Sequence, residues 1–168
     1  SLRAIRSILF QRKALFYNCL FSIFFSVLVS FCTLLSAYCT AKWQSEHKES
    51  GILSFFIFLP FMIPSSVFAM GAQVLFLQLP LKNAYLSVFL SHVLYSLPYA
   101  TSYLTEGMEG KIKRLEEQGR VFGASGLYLL YRVSIPLLMP YLIPAFMMSF
   151  ILSMSQYILT MLLGGGKL

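Results

Sequence analysis

Glu117 to Pro136 read EQGRVFGASGLYLLYRVSIP, a polar, glycine-bearing stretch between long charge-free hydrophobic runs. Upstream, no Asp, Glu, Lys or Arg occurs from Asn83 to Thr105; downstream, none occurs from Val133 to Gly166. Two more such runs cover Ala14–Ala41 and Gly51–Leu81. Each reaches or exceeds the roughly 20 apolar residues that cross a hydrocarbon core of about 30 Å. A soluble protein of this size cannot bury four such runs. The chain therefore reads as all-α, a polytopic transmembrane bundle, because backbone groups in lipid must be satisfied within their own segment.

Composition agrees: hydrophobic residues make up 58% and charged residues 11%, against roughly 25% charged in soluble domains. A barrel would alternate apolar and polar residues, whereas Phe21–Val29 is apolar on all sides apart from two serines. The net charge of +7 would suggest nucleic acid in a soluble protein. Here the bases flank the spans, which points to lipid headgroups as the partner and not to nucleic acid. Cys19, Cys32 and Cys39 form no C-x-x-C pair, so they read as small packing residues. No metal site is expected. The chain opens on Ser1 and closes on Gly164-Gly165-Gly166-Lys167-Leu168, and reads as a piece of a longer protein.

One domain, residues 1–168, is expected, with spans at about 15–41, 52–79, 85–104 and 141–163. The first carries Ser22, Ser26, Ser30 and Thr33 at helical spacing, a stripe that permits close helix contact. The second contains Pro60 and Pro64 followed by Ser65 and Ser66. Two prolines free backbone carbonyls and bend a helix, either as a structural kink or as a bend lining a translocation path. The third holds His92 near its start, which reads as a reach to the interface or as a substrate or proton site. The fourth begins after Pro136 and Pro140 and carries Ser155 and Gln156 at mid-depth. Residues 106–136 form the long polar connection, with a charged helix from Lys111 to Gln118 and a Lys113–Glu117 pair. Counting bases puts six on one side and seven on the other, so charge leaves orientation open.

The spacing from Glu117 through Gly123 to Val133-Ser134-Ile135-Pro136 resembles the "EAA" loop of type I ABC importer permeases, the MetI-like family. That loop is written E-A-A, three residues, G, nine residues, I-x-L-P. Gln118 and Gly119 stand where the family has two alanines, and glycine is expected to loosen the helix by about 1 kcal/mol. Other positions follow in order: Asn18 with Ala37-Tyr38, Pro60-x-x-x-Pro64, His92 with Pro98, and Ser153–Tyr157, which is similar to S-L-G-E-F or S-L-S-D-Y. The likeness is greatest to the thiamine, iron, polyamine and sulfate group.

The resemblance implies a bacterial inner-membrane permease subunit with residues 106–136 in the cytoplasm. A cytoplasmic ABC ATPase would dock on Glu117, Arg120, Gly123, Ala124, Ser125 and Pro136. A second permease unit, identical or fused, and a periplasmic or extracellular substrate-binding protein would complete the system. No cofactor is expected on this chain, since ATP and magnesium belong to the ATPase. No catalytic residue is expected either. Ser65, Ser66, Ser155 and Gln156 are the expected pore lining. An intramembrane enzyme would need paired acids or a metal pattern such as H-E-x-x-H, and only His47 and His92 exist. An ion-coupled carrier normally needs a carboxylate at membrane depth, yet no Asp occurs and all six Glu lie outside the hydrophobic runs. A non-catalytic structural subunit would leave the patterned loop unexplained.

Overall fold

The computed structural model describes residues 2–46, 51–78, 84–108 and 111–164. Most of the closing glycine stretch, at 165–168, lies outside them, as do residues 47–50, 79–83 and 109–110. Helices α1 (Leu2–Glu46), α2 (Gly51–Met62), α3 (Ser65–Gln78), α4 (Ala84–Met108), α5 (Lys111–Val121), α6 (Gly126–Leu129), α7 (Ile135–Ser155) and α8 (Tyr157–Gly164) follow in order. A π-helical segment, Leu130–Ser134, joins α6 to α7. No strand occurs among the described residues.

The core is built on small residues. Ala37 and Ala41 of α1, Ala100 of α4 and Ala145 of α7 are fully buried beside Leu104 and Leu138. Ser26, Ser30, Thr33, Ser91, Thr101 and Ser149 are buried with them. Lipid tails are as apolar as leucine, so helices in a bilayer associate through close packing and interhelical hydrogen bonds. Thr40 Oγ1 and Thr101 Oγ1 make such a bond at 3.1 Å. A second cluster, Ala69, Phe76, Val88, Leu159 and Leu163, joins α3, α4 and α8.

Contacts fix the helix directions. Phe25 meets Phe89 and His92, Thr40 meets Thr101 and Gln44 meets Thr105, so α1 and α4 run parallel. Phe61 meets Tyr99, Phe68 meets Tyr95 and Phe76 packs near Val88, so α2 and α3 run back along α4. Gly107 meets Tyr141 and Leu138 and His92 meets Ser153, so α7 returns. The ends of α1 and α4 and the start of α7 thus lie together.

Among the described residues, only α1 (from Leu15) and the Gly126–Ser155 stretch are single helices long and apolar enough to cross a membrane, and α2–α3 adds a third if the bent pair is one span. Helix α4 falls short because its Ser87, Ser91, His92, Ser96 and Thr101 face neighbouring helices. The helices differ from the sequence-based boundaries at several points. The fourth span begins at Gly126 and not at 141, and Gln156 interrupts it. Pro140 and Pro144 lie inside a continuous helix, since each removes one hydrogen bond while its fixed φ still suits a helix. The second span bends by 119°, but at Ile63–Pro64; Pro60 lies inside α2. Lys42–Glu46, expected as loop, extend α1.

At Gly107, α4 and α7 approach closely. A Cβ built there meets Tyr141 ring carbons at 2.6 and 2.7 Å and Leu138 Cδ2 at 2.9 Å. Gly107→Val is expected to destabilise the bundle by about 1–3 kcal/mol through overpacking, read as a lower thermal midpoint in detergent. Gly71, with nothing within 4 Å of its would-be Cβ, serves as the neutral control.

Candidate functional site

The 106–136 connection is almost entirely helical. Helix α5 ends in a reversal held by two bonds, Gly123 N to Arg120 O at 3.0 Å and Ala124 N to Gly119 O at 2.9 Å. This pairing is the Schellman arrangement, which requires a left-handed residue at the position of Gly123. Gly123 has φ of 78°, the only positive-φ residue among those described. Ser125 then caps α6, its Oγ accepting from Tyr128 N at 3.4 Å. Helix α5 passes through Gly119, and a Cβ there would clash with Leu129 Cδ2. The missing side chain lets α6 fold back against α5.

The loop is tied to the end of α1 by polar contacts. Glu116 Oε2 lies 3.6 Å from Lys42 Nζ, and Glu116 Oε1 accepts from Ser134 Oγ in the π segment. Arg120 pairs with Glu46 at 3.7 Å. Lys113 Nζ donates to Ser45 O at 2.7 Å, so the expected Lys113–Glu117 pair does not form. Lys113 reaches across to α1 because the terminal carbonyls of that helix lack intrahelical partners. A cleft of about 110 Å³ lies between these groups, with Glu117 on its wall.

Glu116 is the residue the sequence reading passed over in favour of Glu117. Ser134 is buried to 1% exposure, so losing its carboxylate partner leaves one weaker bond, to Leu129 O at 3.3 Å. Glu116→Ala is expected to lower stability by about 1–2 kcal/mol. Glu116→Gln, which keeps an acceptor for Ser134, should cost less. Chemical or thermal unfolding of the two variants side by side checks the order.

Glu117, Arg120, Gly123, Ser125 and Pro136 are exposed and Ala124 is half-buried. Around them stand Val121 at 85% exposure and Phe122 at 88%, with Leu127, Tyr128 and Tyr131 also exposed. Large apolar side chains on a polar loop mark an interaction surface.

The expected pore residues do not sit together. Ser66 and Ser155 are exposed and Ser65 is half-buried, and Ser155 Oγ bonds Leu152 O at 2.9 Å. Gln156 alone of the four lines a cavity of about 180 Å³ between α1, α4 and the α7–α8 break. At that break the backbone of Gln156 leaves the helical region, with φ −82° and ψ 60°.

His92 braces the break from α4. It is 2% exposed and so does not reach the interface. Its Nδ1 lies 3.1 Å from Ser153 Oγ and its Nε2 3.1 Å from Thr160 Oγ1. Thr160 gives its single proton to Gln156 O at 3.0 Å, so Nε2–H must be the donor in the second contact. A neutral ring then accepts at Nδ1 from Ser153. One imidazole thus grips both arms of the broken span, with Phe25 edge-on to it at 5.5 Å.

With this geometry in view, residues 33–168 match the model of the family described as "Binding-protein-dependent transport system inner membrane component". The chain belongs to that family. Among curated relatives, it is 28% identical over 145 residues to the spermidine/putrescine transport system permease protein PotC of Escherichia coli (strain K12), covering 86% of this chain and 53% of that protein. PotC of Haemophilus influenzae is 26% identical over 124 residues, covering 74% and 47%. The putative 2-aminoethylphosphonate transport system permease protein PhnV of Salmonella typhimurium (strain LT2) is 32% identical over 146 residues, covering 82% and 55%. The chain spans about half the length of the curated relatives it matches. The family is one of inner-membrane components of binding-protein-dependent transport systems, and the matched relatives are named as transport system permeases.

Proposed function

We propose that this chain forms part of the translocation path of an ATP-driven importer and couples that path to a cytoplasmic ABC ATPase through residues 111–136. The observation that carries this reading is the loop itself. A glycine-dependent reversal presents Glu117, Val121, Phe122, Tyr128 and Tyr131 outward, while Glu116, Arg120 and Lys113 hold its inner side to α1. A surface that is rigid within and apolar without suits docking into a partner's cleft. In this reading the loop faces the cytoplasm. The chain binds no nucleotide; ATP and magnesium remain on the ATPase.

A second permease unit, identical or fused, closes the pore, and an external binding protein delivers the solute. Gln156 lines the path at the break, and Ser65, Ser66 and Ser155 belong to the same path where α3 and α7 meet that second unit. The relatives' names carry polyamines in one case and an aminophosphonate in the other. Cargo is therefore a property of each chain's own lining and of its binding protein.

Phe122→Asp tests the docking. The side chain is almost fully exposed, so folding is expected to survive unchanged. Burying an unpaired carboxylate in a partner's cleft costs several kcal/mol. Co-purification of the ATPase with the full-length permease should fall by more than about tenfold, the factor that 1.4 kcal/mol produces. Wild-type recovery of the ATPase would overturn the docking role of this loop.

A further inference from the structure

Two of the helical stretches are broken, and the pieces beyond the breaks pack on each other. Helix α3 begins after Ile63–Pro64, and α8 begins after Gln156. Ala69 and Phe76 of α3 share one buried cluster with Leu159 and Leu163 of α8. Gln73 Nε2 donates to Leu162 O at 3.4 Å and joins the two helices directly. Proline biases the residue before it away from the helical region, which ends α2 at the 119° bend. At Gln156 the N–H reaches Ser153 O at 3.4 Å in place of a full helical bond.

The ties from this pair to the rest of the bundle differ in kind. Phe68 meets Tyr95 with ring centroids 5.3 Å apart, and Val88 of α4 packs into the shared cluster. Apolar contacts of this sort are non-directional and tolerate small displacements. The bond between His92 Nε2 and Thr160 Oγ1, at 3.1 Å, is directional and weakens steeply when misaligned. Thr160 lies one turn beyond the Gln156 break, while the other ring nitrogen bonds Ser153 before it. His92 therefore sets α8 relative to α7.

We propose that α3 and α8 form one arm, hinged at Ile63–Pro64 and at Gln156, with the His92–Thr160 bond as its clasp. Hinges are a few element-terminal residues that absorb a change in φ and ψ, and both breaks are of that kind. Parting α3 from α8 would forfeit their close packing and leave the Gln73 amide without its acceptor at membrane depth. The two helices therefore move together. Helix α8 has 8 residues, about 12 Å at 1.5 Å per residue. A change of bend of roughly 20°, the size at which a kink counts as sharp, carries its end by about 4 Å. The arm follows from these contacts, and its drive by nucleotide rests on the importer reading above.

The test uses the full-length permease assembled with its ATPase in liposomes, with native cysteines replaced by serine. Distances are read between two spin labels. Labels at Leu77→Cys and Tyr157→Cys lie within the arm, and labels at Leu35→Cys and Met161→Cys run from α1 to the arm. All four native side chains are exposed, so labelling should leave the fold intact. Trapping the ATPase with ADP and vanadate should shift the Leu35–Met161 distance by about 4 Å and leave the Leu77–Tyr157 distance unchanged. Thr160→Val, which keeps the bulk and removes the hydroxyl, should shift the first distance without nucleotide. Thr160→Ser, which keeps the hydroxyl, should not.

A change in both distances together would overturn the single arm. An unshifted Leu35–Met161 distance in Thr160→Val would overturn the clasp, whatever that variant does to the thermal midpoint. A shift in Thr160→Val with none on trapping overturns the nucleotide drive and leaves the arm standing. Loss of ATPase recovery from the same preparations bears on the docking loop, so the two readings fail separately.

Discussion

Gly123→Pro should abolish recovery of the ATPase with the permease, whereas Gly123→Asn should retain most of it. The difference isolates backbone geometry from contact. A Cβ at Gly123 would meet nothing within 4 Å, so no steric clash separates the two variants. Its φ of 78° is closed to proline, whose ring fixes φ near −65°. Proline also removes the N–H that bonds Arg120 O at 3.0 Å. Asparagine enters the left-handed region several times more readily than other non-glycine residues. Gly123→Ala should fall between, with a penalty of about 1–2 kcal/mol, or a factor of roughly 5–30 in the populated turn. Equal recovery from the proline and asparagine variants would show that the turn is not what the ATPase reads.

The second large effect is expected at the other end of α4. His92→Leu keeps a side chain of comparable bulk against Phe25 but removes both hydrogen bonds to the broken span. Interhelical hydrogen bonds in membranes average about 0.6 kcal/mol and reach about 1.7. With two lost and Ser153 left buried, a loss of about 1–3 kcal/mol is expected, visible as a lower thermal midpoint of the assembled transporter. His92→Gln, which can offer a donor and an acceptor, should recover part of it. A leucine variant with the midpoint of the wild type would mean that the brace contributes nothing.

The all-α bundle could be read from the sequence because charge-free runs and the cost of unpaired backbone in lipid favour helices. The loop pattern from Glu117 to Pro136 was equally legible, since it depends on spacing alone. What sequence could not give was depth and partnership. His92 looked peripheral by its position in the run; the direction of α4 relative to α1 and α7 buries it. Glu116 and Glu117 are indistinguishable as neighbours in a charged stretch. The pitch of α5 turns one toward Lys42 and Ser134 and the other outward. Gly119 reads as a helix weakener by propensity, but α5 passes through it and Leu129 packs against it. Ser155 and Gln156 are adjacent polar residues, and only the local departure from helical backbone turns Gln156 into the cavity.

Helix α4 bears on the start of α7 at Gly107 and on the broken span at His92. Fifteen residues separate the two points, about 22 Å at 1.5 Å per residue. A tilt of roughly 5° about the loop end carries His92 sideways by about 2 Å at that lever length. Hydrogen bonds of 3.1 Å to Ser153 and Thr160 do not survive such a shift, since weak contact sets in beyond about 3.5 Å. A few degrees of tilt at the loop end of α4 is therefore enough to unlatch the far arm.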